Sequence, residues 1–298
     1  MKKGILLTLI AGTLWGIMGL FVRTLGSTGL DSMQIVAMRI IFTAVILAAG
    51  AALLKPSLFK IRFRDLWCFL GTGIISIVLF TYCYFRTMTL TSLATAAVLL
   101  YTAPVMVMLM SILFFREKIT PRKLISCALA LVGCVLVTGV LGESGAISPA
   151  GLALGLVSAF GYALYSIFGR VALNRGYHPL TLTLYTFLFA TLGVLPLTNL
   201  RGIAEVAAES PTVIPFGILM AVISAVIPYT TYTTALTYIE SSRASIIASV
   251  EPVVATLTGI LIFHEPLTLD SLAGIILVLA SLVLLNLEPK KSKKEKES

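Results

Sequence analysis

The sequence predicts an all-α integral membrane protein whose ten transmembrane helices form two inverted five-helix repeats. Three observations carry that prediction. First, 58% of the 298 residues are hydrophobic and only 12% are charged. A water-soluble domain carries about a quarter charged residues, so lipid is the solvent for most of this surface. Second, the apolar runs are about 20 residues long. That length suits helices crossing a core of about 30 Å, not barrel strands of about 10 residues. Third, the sequence repeats itself internally.

Polar, Pro and Gly punctuation divides the runs into helices 1 to 10 at 4–25, 31–53, 65–88, 92–115, 121–140, 149–170, 178–198, 212–236, 242–263 and 269–287. Short connections make sequential helices antiparallel neighbours. Lys2 and Lys3 before an apolar run have the form of a signal peptide. However, residues 4–23 (GILLTLIAGTLWGIMGLFVR) align without gaps on residues 151–170 (GLALGLVSAFGYALYSIFGR). A cleaved leader has no reason to match a mid-chain segment, so 4–25 is expected to be helix 1.

A second match sets TAPVMVMLMSILFFREKIT (102–120) on VEPVVATLTGILIFHEPLT (250–268), at an offset of 148 against 147 for the first pair. Pro104 then matches Pro252, Glu117 matches Glu265 and Thr120 matches Thr268. The expected units are a first repeat over 1–145, a second over 146–287 and a charged tail over 288–298. Five helices is an odd number, so the second half enters from the opposite side.

Charge fixes the orientation. With the N-terminus inside, the inner segments collect Lys2, Lys3, Lys55, Lys60, Arg62, Arg64, Arg116, Lys118, Arg122, Lys123, Arg170, Arg175, Arg243 and the tail lysines. The outer ends hold Arg23, Arg86 and Arg201. This bias predicts cytoplasmic termini, an outer loop at 142–148 and a location in the inner (plasma) membrane. The net charge of +9 is therefore an orientation signal and implies no nucleic-acid partner. Cys68, Cys83, Cys127 and Cys134 lie within apolar runs without metal-ligand spacing, which predicts buried thiols, no metal and no cofactor.

Inverted halves that rock against each other expose a midplane site to each side in turn. Trp15, Tyr101 and Tyr162 lie half-way along their helices, too deep for an interfacial aromatic belt. They are candidate substrate-binding residues, with packing against a neighbouring helix as the alternative. Tyr84 and Tyr232 lie nearer helix ends and read as belt residues. Arg39 lies about 12 Å into helix 2 from the outer side and Glu251 about 14 Å into helix 9 from the inner side. An ionisable group at that depth costs at least about 2.5–3.5 kcal/mol and faces a cavity or a partner. Both are candidate substrate ligands, Glu251 is the candidate proton-coupling group, and a structural ion pair is the alternative.

Pro104, Pro228 and Pro252 each free a backbone carbonyl at depth, as hinges or as static kinks. Glu117 and Glu265 end helices 4 and 9, three residues before the N-cap threonines of the next helices. They are expected to play a structural role, facing the positive ends of helices 5 and 10. Gly12 and Gly16, like Gly151 and Gly155, permit close helix approach.

The paired stretches 102–120 and 250–268, small-residue-rich helices 5 and 10, the LWG at 14–16 and an Arg in helix 2 resemble the EamA-type drug/metabolite transporter superfamily. The resemblance covers nearly the whole chain. It implies a central cavity lined by helices 1–4 and 6–9, and transport of amino acids, related metabolites or drugs, often outward. In one departure, Ala103 stands where the second half has Glu251, so carboxylate chemistry is one-sided.

The expected function is a secondary-active exporter. Its partners are a small-molecule substrate, the bilayer and protons as coupling ion, and a homodimer is compatible with it. A lipid or polyprenyl-phosphate flippase would want several cations at a lateral opening, whereas Arg39 stands nearly alone in depth. An uncoupled facilitative transporter is the other alternative. An enzyme would need convergent acids, bases or metal ligands, and His178 and His264 lie singly at helix ends.

Overall fold

A computed structural model describes residues 1–142 and 148–287. The expected outer loop falls mostly, and the charged tail entirely, outside the described residues. The described chain is helical with no strand. The apolar helices are α1 (Lys2–Gly26), α2 (Ser32–Leu54), α3 (Phe63–Leu90), α4 (Leu93–Phe115), α5 (Pro121–Val137), α6 (Pro149–Asn174), α7 (Pro179–Leu197), α8 (Val213–Ala235), α9 (Ser241–Phe263) and α10 (Leu269–Asn286).

Nine of these are long and apolar enough to cross a membrane among the described residues. The remaining one, α5, has 17 residues, which at 1.5 Å per residue spans about 25 Å. It packs along α10, its partner in the other half.

Local chemistry sets the helix starts. Asp31 accepts from Gln34 N–H while the Gln34 side chain accepts from Asp31 N–H, closing a capping box on α2. Thr120, Ser148 and Thr268 cap α5, α6 and α10. Pro121, Pro149 and Pro179 sit in the first turns, where no N–H is needed. A short helix, Leu200–Glu209, joins α7 to α8. It is amphipathic: Ile203 is buried, while on its exposed face Arg201 pairs with Glu205 at 2.9 Å.

The halves interlock rather than sit side by side. Helix α1 packs on α8 and α9, and its counterpart α6 packs on α3 and α4; α2 meets α7 and α5 meets α10. These are the pairings that a two-fold relation between halves produces. One buried cluster draws Trp15, Ile40 and Ile77 from the first half and Phe187, Tyr229 and Ile247 from the second. The four cysteines are buried and free.

Glycine permits a close crossing of α1 and α9. A Cβ on Gly16 would stand 2.6 Å from both the Glu251 carbonyl oxygen and Val254 Cβ, whereas one on Gly50 would meet nothing within 4 Å. Gly16→Ala is therefore expected to lower the thermal midpoint of the purified protein, at a cost of about 1–3 kcal/mol. Gly50→Ala should hold or slightly raise it. Equal midpoints would mean that the α1–α9 crossing yields without cost.

Candidate functional site

Three helices around the centre are broken there. Helix α1 breaks at Ile17, between Lys2–Gly16 and Met18–Gly26. Helix α4 breaks at Tyr101 and Thr102, between Leu93–Leu100 and Ala103–Phe115. Helix α9 breaks at Ser249 and Val250, between Ser241–Ala248 and Glu251–Phe263. Pro104 and Pro252 are each the second residue of the later segment, where a missing N–H leaves the preceding turn without its ladder bond. Pro228 is the second residue of Ile227–Ala235 and follows a π-helical stretch, Val222–Val226. Helix α3 carries the matching stretch, Gly71–Val78. Such wide turns are frequent at functional sites, and each of the three prolines follows an irregular turn.

The breaks frame a cavity of about 560 Å³ between the halves, within the range of small-molecule sites. Trp15, Arg39, Tyr101, Tyr162 and Glu251, scattered over five helices, all line it. The cavity reaches one end of the molecule, where Arg23, Ser32, Met88, Leu93, Phe263 and Glu265 form its rim. Its lining includes no residue from the opposite end of these helices.

Inside, the surface is aromatic with few polar atoms. The Trp15 ring lies 5.2 Å from Tyr229, 5.4 Å from Tyr232 and 6.4 Å from Tyr162, and Tyr162 lies 5.4 Å from Phe80. Tyr162 Oη donates to Glu251 Oε2 at 3.5 Å. Arg39 Nη1 lies 2.8 Å from Met18 Sδ. Trp15 Nε1 and Arg39 Nε are buried donors with no hydrogen-bond partner in the described protein. Leaving such a donor unpaired costs about 1–3 kcal/mol, so a solute offering an acceptor is favoured here. Arg39 and Glu251 share the cavity, yet the ion pairs of the described residues do not join them.

Several lining residues escaped the sequence analysis. Tyr84 lines the cavity rather than standing in an interfacial belt, because α3 runs on to Leu90 and its π-helical stretch shifts the register. Tyr232 is buried, with its hydroxyl 2.8 Å from Ser166 Oγ. Tyr229 was missed although it adjoins Pro228, the one sequence signal that could have found it.

Glu117 and Glu265 correct a further expectation. Thr120 and Thr268 cap α5 and α10 as expected, accepting the N–H groups of Lys123 and Ser271, but the glutamates' hydrogen bonds run to other elements, and Glu117 keeps only a 3.8 Å contact with Lys123 Nζ of α5. Arg116 and His264 adopt left-handed backbone, φ 54° and 55°. The N–H of Glu117 then bonds to Ser111 O at 3.2 Å and that of Glu265 to Gly259 O at 3.1 Å, so each chain folds back onto the last turns of its helix. This geometry costs a non-glycine residue about 1–2 kcal/mol, and both repeats carry it. It turns each carboxylate sideways. Glu117 accepts from the N–H of Ser241 at 2.9 Å, from the N–H of Ser242 at 3.3 Å and from the Ser242 hydroxyl, all at the start of α9 in the other half. Glu265 instead pairs with Arg23 at 2.5 Å on the half-exposed cavity rim.

Comparison with known proteins decides the family. The family model of the EamA-like transporter family matches residues 2–139 and 149–287, one match per half. The chain belongs to the EamA-like transporter family. It is 29% identical to an uncharacterized transporter of Archaeoglobus fulgidus over 94% of this chain and 96% of that one. It is 26% identical to the uncharacterized inner membrane transporter YicL of Salmonella typhimurium, over 97% of both chains. A solved crystal structure shares the fold, with a TM-score of 0.78 at 15% identity over 96% of both chains. This EamA-like chain is a multi-pass membrane protein of a transporter family.

Proposed function

We propose that this EamA-like chain is a secondary-active exporter of amino acids and similar zwitterionic metabolites, working by alternating access around the central cavity in exchange for protons. One observation carries the reading: Arg39 from the first half and Glu251 from the second line a single aromatic cavity without pairing to each other. A guanidinium without an ion-pair partner takes a carboxylate, a carboxylate without one takes an ammonium, and the rings of Trp15, Phe80 and Tyr84 take an apolar side chain. Trp15, Tyr101 and Tyr162 shape the site, and Pro104, Pro228 and Pro252 mark where the broken helices flex. By the charge bias, the open rim is the outer end.

Competition in proteoliposomes tests the substrate class. Phenylalanine should compete for uptake at least about tenfold better than 3-phenylpropionate or phenethylamine, since each analogue leaves one buried charge unpaired. Equal competition by all three would remove the zwitterion reading.

Orientation is tested separately, in a background lacking the four native cysteines. Cysteines placed at Ser144 and Ser292, both outside the described residues, should label from opposite faces of the membrane. Labelling of both from one face would overturn the assigned topology.

A further inference from the structure

A second cluster of charge lies at the other end of the molecule, away from the transport cavity. The connection between α2 and α3 and that between α6 and α7 meet there, one from each half. Asp65, fully buried, holds them together: it accepts from Arg62 Nε at 2.8 Å, from Tyr177 Oη at 2.7 Å and from Arg175. Both carboxylate oxygens are thereby occupied. Around this clasp lies a pocket of about 440 Å³ lined by Lys55, Lys60, Arg62, Arg175, Tyr177 and His178. A second pocket, of about 320 Å³, opens between Arg62, Arg64, Arg175 and Trp67.

Charge here exceeds what the clasp consumes. One carboxylate faces Lys55, Lys60, Arg62, Arg64 and Arg175, and no ion pair among the described residues engages Lys55, Lys60 or Arg64. Lys55 and His178 line the same pocket, where burial and that ammonium lower the His178 pKa. Apolar groups flank the cations: Leu53, Leu54 and Phe63 are each more than four-fifths exposed, at 83%, 85% and 87%. Orientation requires positive charge on this side but neither a pocket nor a buried carboxylate that splays two guanidiniums across it.

We propose that this basic pocket binds the phosphate group of an anionic phospholipid, with Lys55, Lys60 and Arg62 around the phosphate and the acyl chains against Leu53, Leu54 and Phe63. Basic pockets between transmembrane helices suit lipid headgroups, each cation near the surface contributing about 1 kcal/mol. The walls come from both halves, so a bound headgroup bridges them on this side and favours the arrangement in which the opposite end is open.

The test uses full-length protein in non-ionic detergent, titrated with dioctanoyl phosphatidylglycerol, dioctanoyl phosphatidylcholine or inorganic phosphate. Trp67 fluorescence and the thermal midpoint are the readouts. Phosphatidylglycerol should bind saturably and raise the midpoint, while phosphatidylcholine and phosphate should do neither at the same concentrations. The exposed double variant Lys55→Gln/Lys60→Gln leaves the Asp65 clasp intact. It should keep the lipid-free midpoint and weaken phosphatidylglycerol binding about thirtyfold. Equal binding of phosphatidylcholine would overturn the phosphate reading. Saturation by inorganic phosphate alone would make this a free-anion site. Unchanged affinity in the double variant would remove the lysines from it. None of these outcomes bears on the zwitterion competition, so either proposal can fail alone.

Discussion

Glu251→Gln is expected to abolish transport driven by a pH gradient while leaving substrate exchange down its own gradient. Glu251 is the first residue after the break in α9, it lines the cavity, and Tyr162 Oη is 3.5 Å away. A carboxylate at this position cannot hold a proton and a substrate ammonium at once. Competition between the two links proton entry to substrate release, and rearrangement of the halves changes the distance from Glu251 to Arg39 and with it the proton affinity. Gln keeps the shape and one acceptor oxygen but cannot titrate. The substrate therefore still binds, about tenfold to a hundredfold more weakly, and exchange persists at high concentration. The measurement is counterflow and pH-jump uptake in the same proteoliposomes. An unaltered response to the imposed pH gradient would leave Glu251 as a substrate ligand and move coupling elsewhere.

Much of this arrangement was legible in the sequence because lipid imposes simple rules. Backbone satisfaction and bilayer thickness convert run length into helices, and the ends read at Leu54, Phe115 and Phe263 shift by no more than one residue from those expected. Depth arithmetic then singled out Trp15, Arg39, Tyr101, Tyr162 and Glu251, and all five line one cavity. Tyr84 was read by its nearness to a helix end and Tyr229 was not singled out, because sequence position does not show that the π-helical stretches in α3 and α8 rotate the residues after them to a new face. Glu117 was misdirected for a different reason. Sequence spacing places it beside Thr120, but the left-handed turn at Arg116 aims it across to the other half.

That turn leads to the second large effect. Glu117 fastens the end of α4 to the start of α9 through the N–H groups of Ser241 and Ser242. The repeat offset of 148 maps those donors onto the N–H groups of Leu93 and Ala94, and maps Glu117 onto Glu265. Leu93 and Ala94 open α4, where the first N–H groups have no partner within the helix. Leu93 and Glu265 both stand on the rim of the open cavity, and Glu265 is held by Arg23 instead. One of two equivalent fastenings is thus made and the other is not, as expected of a transporter open at one end. In the opposite state Glu265 is expected to leave Arg23 and accept from Leu93 and Ala94, while Glu117 releases α9.

The two glutamates then bias one equilibrium in opposite directions. Each fastening consists of hydrogen bonds to a charged group, worth about 1.5–3 kcal/mol apiece. Glu117→Gln should shift the population about tenfold or more toward the state open at the end bearing Ser241, and Glu265→Gln should hold it in the state open at the rim bearing Leu93. A cysteine at the cavity residue Thr258, in a background lacking the native four, reports the shift through an impermeant thiol reagent applied from either side. Labelling from the side of the Leu93 rim should fall in the first variant and be unchanged or rise in the second, and net transport should drop in both. Shifts of the same sign in both variants would show that the glutamates hold the fold and not the exchange between states.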